Sequence, residues 1–433
     1  MSRNKPLRVI IAGGGIGGLA LAQSLRKTGV DVAVYERDRH RTDRLQGFRI
    51  HISPHGSAAL HECLPTDLFS AFVASSGKGG AFRFATEQLD ELLRLDVHTG
   101  GPPERGHYGV SRITLRQILL AGLGDAVHFD KQLLRYEREP GGPVTAYFAD
   151  GSSATGDVLV GADGAGSRVR AQYLPQARRI DTGVLAIAGK YLLTEESRAR
   201  LAPMLLDGPV SVIPPKACGM FCAPHEFDAT APMPAGVGGN DQHDPGLHLD
   251  NTKPYVFWAF AAKRAGYPIE REPETLDRAQ LHQLAKLMIA DWSPDLRRLV
   301  GESAIETTTT LPILSSEPIQ PWDSTNVTLL GDAIHSMTPF RGIGANTALR
   351  DAQLLGRKLI AADRDETPLV AGIHAYEAEM IDYGFAAVRA SLRSARQAVA
   401  PSRTGRVIAK TVFRTFNAVP PLKRLVFADH GDE

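Results

Sequence analysis

Residues 8–18 read RVIIAGGGIGG. The apolar run Val9 to Ala12 has the look of a strand buried on both faces, as in a parallel sheet. Beyond the glycines, Leu19, Ala22 and Leu25 recur at helical spacing, and Gly29 stops the helix. Val32-Ala33-Val34-Tyr35 is a second buried strand, ending at Glu36. These pieces make one βαβ unit whose first turn carries GxGxxG at Gly13, Gly15 and Gly18. Each glycine has a physical task. Gly13 permits the tight turn, Gly15 lets backbone approach a pyrophosphate, and Gly18 lets helix and strand pack closely. The helix N-terminus then offers free N–H groups and a positive dipole end to phosphates. Glu36 stands where an acid accepts hydrogen bonds from ribose hydroxyls. The pattern predicts a dinucleotide site without saying which dinucleotide.

Composition sets the class. The chain has 433 residues, 43% hydrophobic and 22% charged, which are globular proportions. That length calls for two domains or one large domain with an insertion. Lys+Arg is 49 against Asp+Glu 48, which gives no reason to expect nucleic acid or an anionic membrane as partner. Three cysteines, Cys63, Cys218 and Cys222, are too few for a disulfide framework and read as buried thiols. The polar N-terminal residues lack a signal-peptide core, and no run of 18 apolar residues offers a membrane span. A cytoplasmic location and a monomer or homodimer are expected.

Further along, strands are expected near 80–86 and 89–97, a helix over 112–123, and a meander at 127–129, 133–137 and 144–148. Asp150-Gly151 closes a hairpin, and 157–160 is another buried strand. Residues 180–262 change character. Strands near 184–192, 209–213, 219–223 and 255–262 predict an antiparallel sheet, interrupted by a Pro/Gly/His-rich loop at 224–254. Helices follow at about 274–300, 345–362 and 369–398, then an amphipathic basic stretch from Arg403 to Phe427, read as a helix packed on the body.

The late segment Val327–Asn346 narrows the dinucleotide. A strand ends at Gly331-Asp332, and Pro339, Phe340, Gly342, Gly344, Ala345 and Asn346 follow. A carboxylate at a strand end can bind the hydroxyls of a ribityl chain. Gly342 and Gly344 let backbone crowd a flat ring. The helix that opens near Gly344 would aim its positive end at that ring, stabilising the negative charge of a reduced flavin. Ser/His/Asp elbows and HExxH zinc motifs are absent from the sequence.

With Val160-Gly161-Ala162-Asp163-Gly164-Ala165-Gly166-Ser167-Arg168-Val169-Arg170 between the first and last motifs, the chain resembles class A flavoprotein monooxygenases of the p-hydroxybenzoate hydroxylase fold over roughly residues 8–395. Gln46 to Gly56 and Tyr376 to Met380 are similar to segments of tetracycline-inactivating and polyketide hydroxylases. The resemblance implies an α/β fold: a Rossmann-like FAD-binding domain (1–72, 104–178, 301–395), an inserted, mainly antiparallel substrate sheet (73–103, 179–300) and a C-terminal helix (396–433). It implies FAD as cofactor, NADPH or NADH as co-substrate, and O2. It also implies hydroxylation of an aromatic or polycyclic substrate through a flavin C4a-hydroperoxide, with epoxidation or Baeyer–Villiger oxidation as alternatives. A non-catalytic flavin- or ligand-binding protein is the rival reading. Gly13, Gly15, Gly18, Glu36, Arg37, Arg49, Arg112, Asp163, Asp332, Gly344, Ala345 and Asn346 are the implied cofactor residues. Pro339 and Gly342 line the reaction site, and Phe221, Phe257, Trp258 and Phe340 the substrate. Arg170 is expected to act indirectly, His335 to pack within its motif, and His51 to line the flavin pocket or satisfy a loop.

Overall fold

The computed structural model of the chain describes residues 6–40, 49–78, 80–96, 101–226 and 253–427. Gln46 to Phe48 and most of the 224–254 stretch lie outside the described residues.

The βαβ unit forms as the apolar runs require. Arg8–Ala12 pairs in parallel with Asp31–Tyr35 on one side and Val158–Gly161 on the other. Val327–Leu329 and Val127–His128 close the two edges of this five-stranded sheet. Val158–Gly161 is buried at every residue, the mark of a strand covered on both faces. Ile16–Lys27 packs against Gly344–Asp363, so the helices after the first and last motifs lie side by side. The meander Leu133–Arg138, Val144–Phe148 and Ser153–Gly156 adds Val144, Ala146 and Phe148 to the same core, with Gly151 at φ +83 in its hairpin. Val127–His128, expected in that meander, instead joins the parallel sheet, and the Tyr35 ring stacks on both His128 and Phe148.

The second sheet has seven strands, in the order Thr309–Ser316, Arg179–Leu192, Tyr255–Lys263, Cys218–His225, Val210–Val212, Phe82–Ala85 and Glu91–Leu95. All neighbours are antiparallel except Val210–Val212 beside Phe82–Ala85. The edge strand Thr309–Ser316 comes from the stretch that sequence reading placed with the cofactor domain.

Alternation along these strands makes two different faces. One face packs on Arg278–Met288 and Pro294–Gly301, whose starts are fixed by an Asp277–Gln280 capping box and by the Ser293 side chain. Ile187, Met220, Cys222, Val256, Trp258 and Phe260 meet Leu281, Leu284, Leu296 and Leu299 there. The other face carries Phe82, Phe84, Phe221 and Phe257. The three cysteines are free and buried, and burial pushes the thiols of Cys63 and Cys218 up to about 12 and about 11.

Trp258 is therefore a correction to the expected substrate lining. It points to the helix-covered face, is 0% exposed, and its indole N–H donates to Ser303 Oγ at 2.7 Å. Phe257, one residue away, takes the open face because successive side chains alternate.

Three further helices follow: Leu369–Ala398, Arg403–Ala418 and Pro420–Phe427. Arg406 is buried, and its guanidinium donates to the carbonyls of Pro214, Cys218 and Ala398. Among the described residues no helix is long and apolar enough to cross a membrane. Trp258→Ala is expected to cost about 3–5 kcal/mol of stability through the cavity it leaves. Urea melts of the two proteins measure it; a loss under about 1 kcal/mol would mean the helix face is not packed around this indole.

Candidate active site

The glycine turn is built around carbonyl and carboxylate contacts. Gly13 has φ +111 and packs against the backbone of Ala162 and Asp163, so a side chain is barred there on two counts. A Cβ on Gly18 would collide with the Gly13 carbonyl oxygen, which confirms the close packing expected of that position. Gly15 differs: a Cβ there would meet nothing within 4 Å. Its backbone borders open space at the N-terminus of Ile16–Lys27, as an approaching pyrophosphate requires.

Glu36 does more than wait for a ribose. One carboxylate oxygen accepts from Gly14 N at 2.6 Å and the other from Asp38 N at 3.0 Å. Arg116 locks this arrangement, donating to Gly14 O at 3.0 Å and to Asp38 Oδ2 at 3.4 Å. The turn is braced from within.

A cleft of about 350 Å³ opens beside it, lined by Gly13, Gly15, Glu36, Arg37, Arg112, Asp163 and Asp332. Seven of the expected cofactor residues thus meet around one space. Arg112 opens the helix Arg112–Leu120 and is exposed into the cleft. Arg116 and Lys131 also line it and were not singled out by sequence. Arg116 lies one turn after Arg112 on the same helix, a spacing that would have pointed to it. Asp163 Oδ2 caps Arg168–Tyr173 by accepting from Arg168 N at 2.7 Å, while its buried Oδ1 has no hydrogen-bond partner. Arg170 donates to Ala333 O at 2.7 Å and Ala165 O at 3.0 Å, tying the middle motif to the late one. Phosphate-sized space at a helix N-terminus, several cations and hydroxyl-binding carboxylates fit a dinucleotide.

The late motif is held by a buried carboxylate. Asp351 Oδ2 accepts from Gly331 N at 2.7 Å and lies 2.7 Å from His335 Nε2, and Oδ1 accepts from Tyr383 OH at 2.6 Å. His335 and Asp351 are 1% and 0% exposed, so His335 packs within its motif and faces no substrate. Gly342 sits at φ +67, followed by the 20-residue helix Gly344–Asp363 with Gly344 and Ala345 in its first turn. Asn346, expected to touch the cofactor, commits its side chain elsewhere. It accepts from Ser53 N at 2.9 Å and donates to His51 O at 3.0 Å, pinning Arg49–Ile52 to the helix start.

The open face of the seven-stranded sheet turns toward this loop. Phe340 packs on Val184, Ala186 and Ala261 at one end of that face. Phe221 and Phe257 lie further along it, half-buried, with ring centres 6.4 Å apart. Pro339 and Gly342 are exposed on the loop. Arg49 and His51 sit between the loop's helix and the sheet's far end. Burial, with Arg49 and then His107 adding to it, lowers the His51 imidazole to about 3, so it is neutral.

Two measurements test this geometry. Gly15→Val should leave the melting of the apoprotein unchanged within about 0.5 kcal/mol and weaken FAD binding by roughly tenfold or more, read from retained flavin absorbance. Unchanged FAD binding would separate this turn from the cofactor. The second concerns pH. Burial opposes charge on His335, but attraction and hydrogen bonding from Asp351 outweigh it, and the pKa is raised. The folded state holds a proton that the unfolded chain, titrating near about 6.5, releases sooner. This stabilisation is complete below about pH 6.5 and is lost as pH rises through the raised value. The stability gap between wild type and His335→Gln should therefore narrow with rising pH; a gap independent of pH would contradict the ion pair.

Comparison with known proteins places the fold and site in a family. Residues 261–391 match the FAD binding domain family and residues 11–69 the NAD(P)-binding Rossmann-like domain family. The chain is 32% identical over 407 residues to the dual O-methyltransferase/FAD-dependent monooxygenase of Cercospora beticola, with 86% of this chain and 44% of the relative covered. It thus spans less than half the length of that bifunctional relative. It is 31% identical over 399 residues to an FAD-dependent monooxygenase of Talaromyces islandicus, covering 89% of this chain and 91% of the relative. A solved structure from Photorhabdus luminescens, provisionally assigned as an FAD-containing monooxygenase, is 36% identical, with a TM-score of 0.79 over 91% of this chain and 98% of that one. The α/β body with its FAD-binding cleft, the inserted sheet and these full-length relatives agree: the chain belongs to the FAD-dependent monooxygenases.

Proposed function

We propose that the chain is a single-component hydroxylase that takes electrons from NADPH or NADH and one oxygen atom from O2, acting on a bulky aromatic or polyketide-like molecule. The observation that carries this reading is a late motif that lends Asp332 to the dinucleotide cleft and Phe340 to the sheet face bearing Phe221 and Phe257. Bound FAD supplies hydride acceptance and oxygen activation. The chain's own residues bind and orient. Gly13, Gly15 and the start of Ile16–Lys27 hold the pyrophosphate, with Arg112 and Arg37 beside it. Asp332 holds the ribityl hydroxyls, and the N-terminus of Gly344–Asp363 faces the ring with its positive end.

In this reading the parallel-sheet body binds the cofactor and the seven-stranded sheet receives the substrate. Phe221 and Phe257 give that sheet an apolar surface suited to aromatic rings and displace water from it. Asp163 and Arg170 act through position, by fixing the middle and late motifs against each other. Epoxidation and Baeyer–Villiger oxidation are the alternatives on the same scaffold.

The deciding measurement is the visible spectrum of the purified protein, followed by NADPH oxidation in air with a panel of phenolic and polyketide compounds. Flavin bands and an NADPH loss accelerated at least about tenfold by one fused-ring phenol, with an oxygenated product, are expected. Stimulation by small benzoates alone would overturn the bulky-substrate reading. Hydrogen peroxide in place of product with every compound would overturn the hydroxylase reading.

A further inference from the structure

The open sheet face is apolar along its middle and polar at one end. His225, directly opposite Tyr255 in the strand pairing, is 3% exposed, with its ring centre 5.1 Å from the Tyr255 ring. Among the described residues neither ring nitrogen of His225 has a hydrogen-bond partner. A buried polar group without a partner is costly, so an imidazole left open in this way is a place where a ligand's polar group would be favoured. Three residues from the same region bear on it. Lys190, opposite Phe257 on the neighbouring strand, is 5% exposed with Nζ 4.7 Å from the centre of the Tyr255 ring. Arg49 reaches in from Arg49–Ile52, lying over Gly109, where a Cβ would stand 2.5 Å from its Nε and Nη2. No carboxylate pairs with Arg49 among the described residues. The nearest acid in sequence, Glu226, is committed to Arg198 through contacts of 2.7 and 2.6 Å.

Two cations and an unpartnered imidazole thus stand at the end of an aromatic floor. Burial first, then Arg49 and Lys190, lower His225 to about 4, so near neutrality it is an uncharged ring with one donor and one acceptor. Burial lowers Arg49 only to about 10, so it keeps its charge. The charge of Arg49, which no carboxylate among the described residues pairs, suits an oxygen that carries negative charge.

We propose that His225, in the field of Arg49 and Lys190, is a specificity-determining residue that binds an acidic oxygen of the substrate, so that this enzyme selects aromatic molecules bearing an ionisable phenol, enol or carboxylate at one end. The proposal rests on the reading of the open face as the substrate surface. His225 donates its N–H to that oxygen, Phe221 and Phe257 hold the rings, and the opposite end of the molecule lies toward the Pro339–Gly342 loop. Neutral fused-ring ethers of the same size lack the group that answers His225 and are rejected.

The test is equilibrium binding to the FAD-loaded enzyme without NAD(P)H, followed through the change that a ligand makes in the flavin absorption. Hydroxynaphthoate, naphthol and methoxynaphthalene are the probes. The wild type is expected to bind hydroxynaphthoate roughly tenfold to a hundredfold more tightly than methoxynaphthalene, with naphthol between. His225→Leu should erase this preference while leaving FAD content and the affinity for methoxynaphthalene unaltered. His225→Gln, which keeps a donor and an acceptor, should restore part of it. Equal binding of the three probes by the wild type, or no binding of any, overturns the proposal, as does a His225→Leu protein that folds, holds FAD and still discriminates. If His225→Leu does not fold, His225→Phe, which keeps a ring without its nitrogens, is read in its place with the same outcomes. Because nothing turns over in this assay, discrimination with no NADPH oxidation would sink the hydroxylase reading and leave the recognition site standing.

Discussion

Asp351 is the constraint on which the rest of the architecture leans. It is a carboxylate with no exposure to water, in the middle of a long helix, and its two oxygens hold three partners from two separate stretches of the chain. Gly331 N and His335 belong to the late loop, and Tyr383 to Leu369–Ala398. A buried charge persists only when paired and hydrogen-bonded, so the loop is drawn to the helix by the need to satisfy it. Asn346, five residues earlier on the same helix, does the equivalent for Ser53 and His51. Arg170 then links the middle motif to the loop through Ala333 O. Segments about 160 and 290 residues apart are thereby fixed around one helix start.

The parallel sheet was legible because both its faces are buried, which forces unbroken apolar runs such as Val9–Ala12 and Val158–Val160. The glycine turn was legible because its positions have steric requirements that only glycine meets. Trp258 was misplaced for a reason of the same kind. On an antiparallel sheet whose two faces are both apolar, aromatic residues fill both, and composition alone does not reveal which parity is open. Phe257 and Trp258 look alike in sequence and face opposite ways. The short strand Val127–His128 was assigned to the wrong sheet because two residues carry no register. Asn346 shows the reverse case, in which a polar residue at an expected site does structural duty. His225 could not be found from sequence, since its importance lies in what does not surround it.

The two sheets divide labour by burial. The five-stranded sheet has its central strands buried, and Glu36, Asp163 and Asp332, at or just past the ends of its strands, gather around one cleft. The seven-stranded sheet uses its surface. One face is packed into helices and carries the stability. The other is left half-buried at Phe221, Phe257 and Ala259, with the small residues Ala186 and Ala223 beneath. Small side chains there leave depth, so substitutions on that face alter shape with little effect on the packed core beneath.

The internal brace at Glu36 has a consequence for how the cofactor arrives. Gly14 and Asp38 bond to Glu36, and Arg116 bonds to Gly14, so the turn is tied together by contacts within the chain. A glycine-rich loop left loose would have to be ordered at the moment of binding, and that lost freedom would be subtracted from the affinity. Contacts made within the chain reduce that subtraction, because they order the turn as the chain folds. Capture of the dinucleotide becomes a docking event on a finished surface, closer to a key entering a lock than to a hand closing on an object. Its speed should then follow encounter and charge more than loop rearrangement.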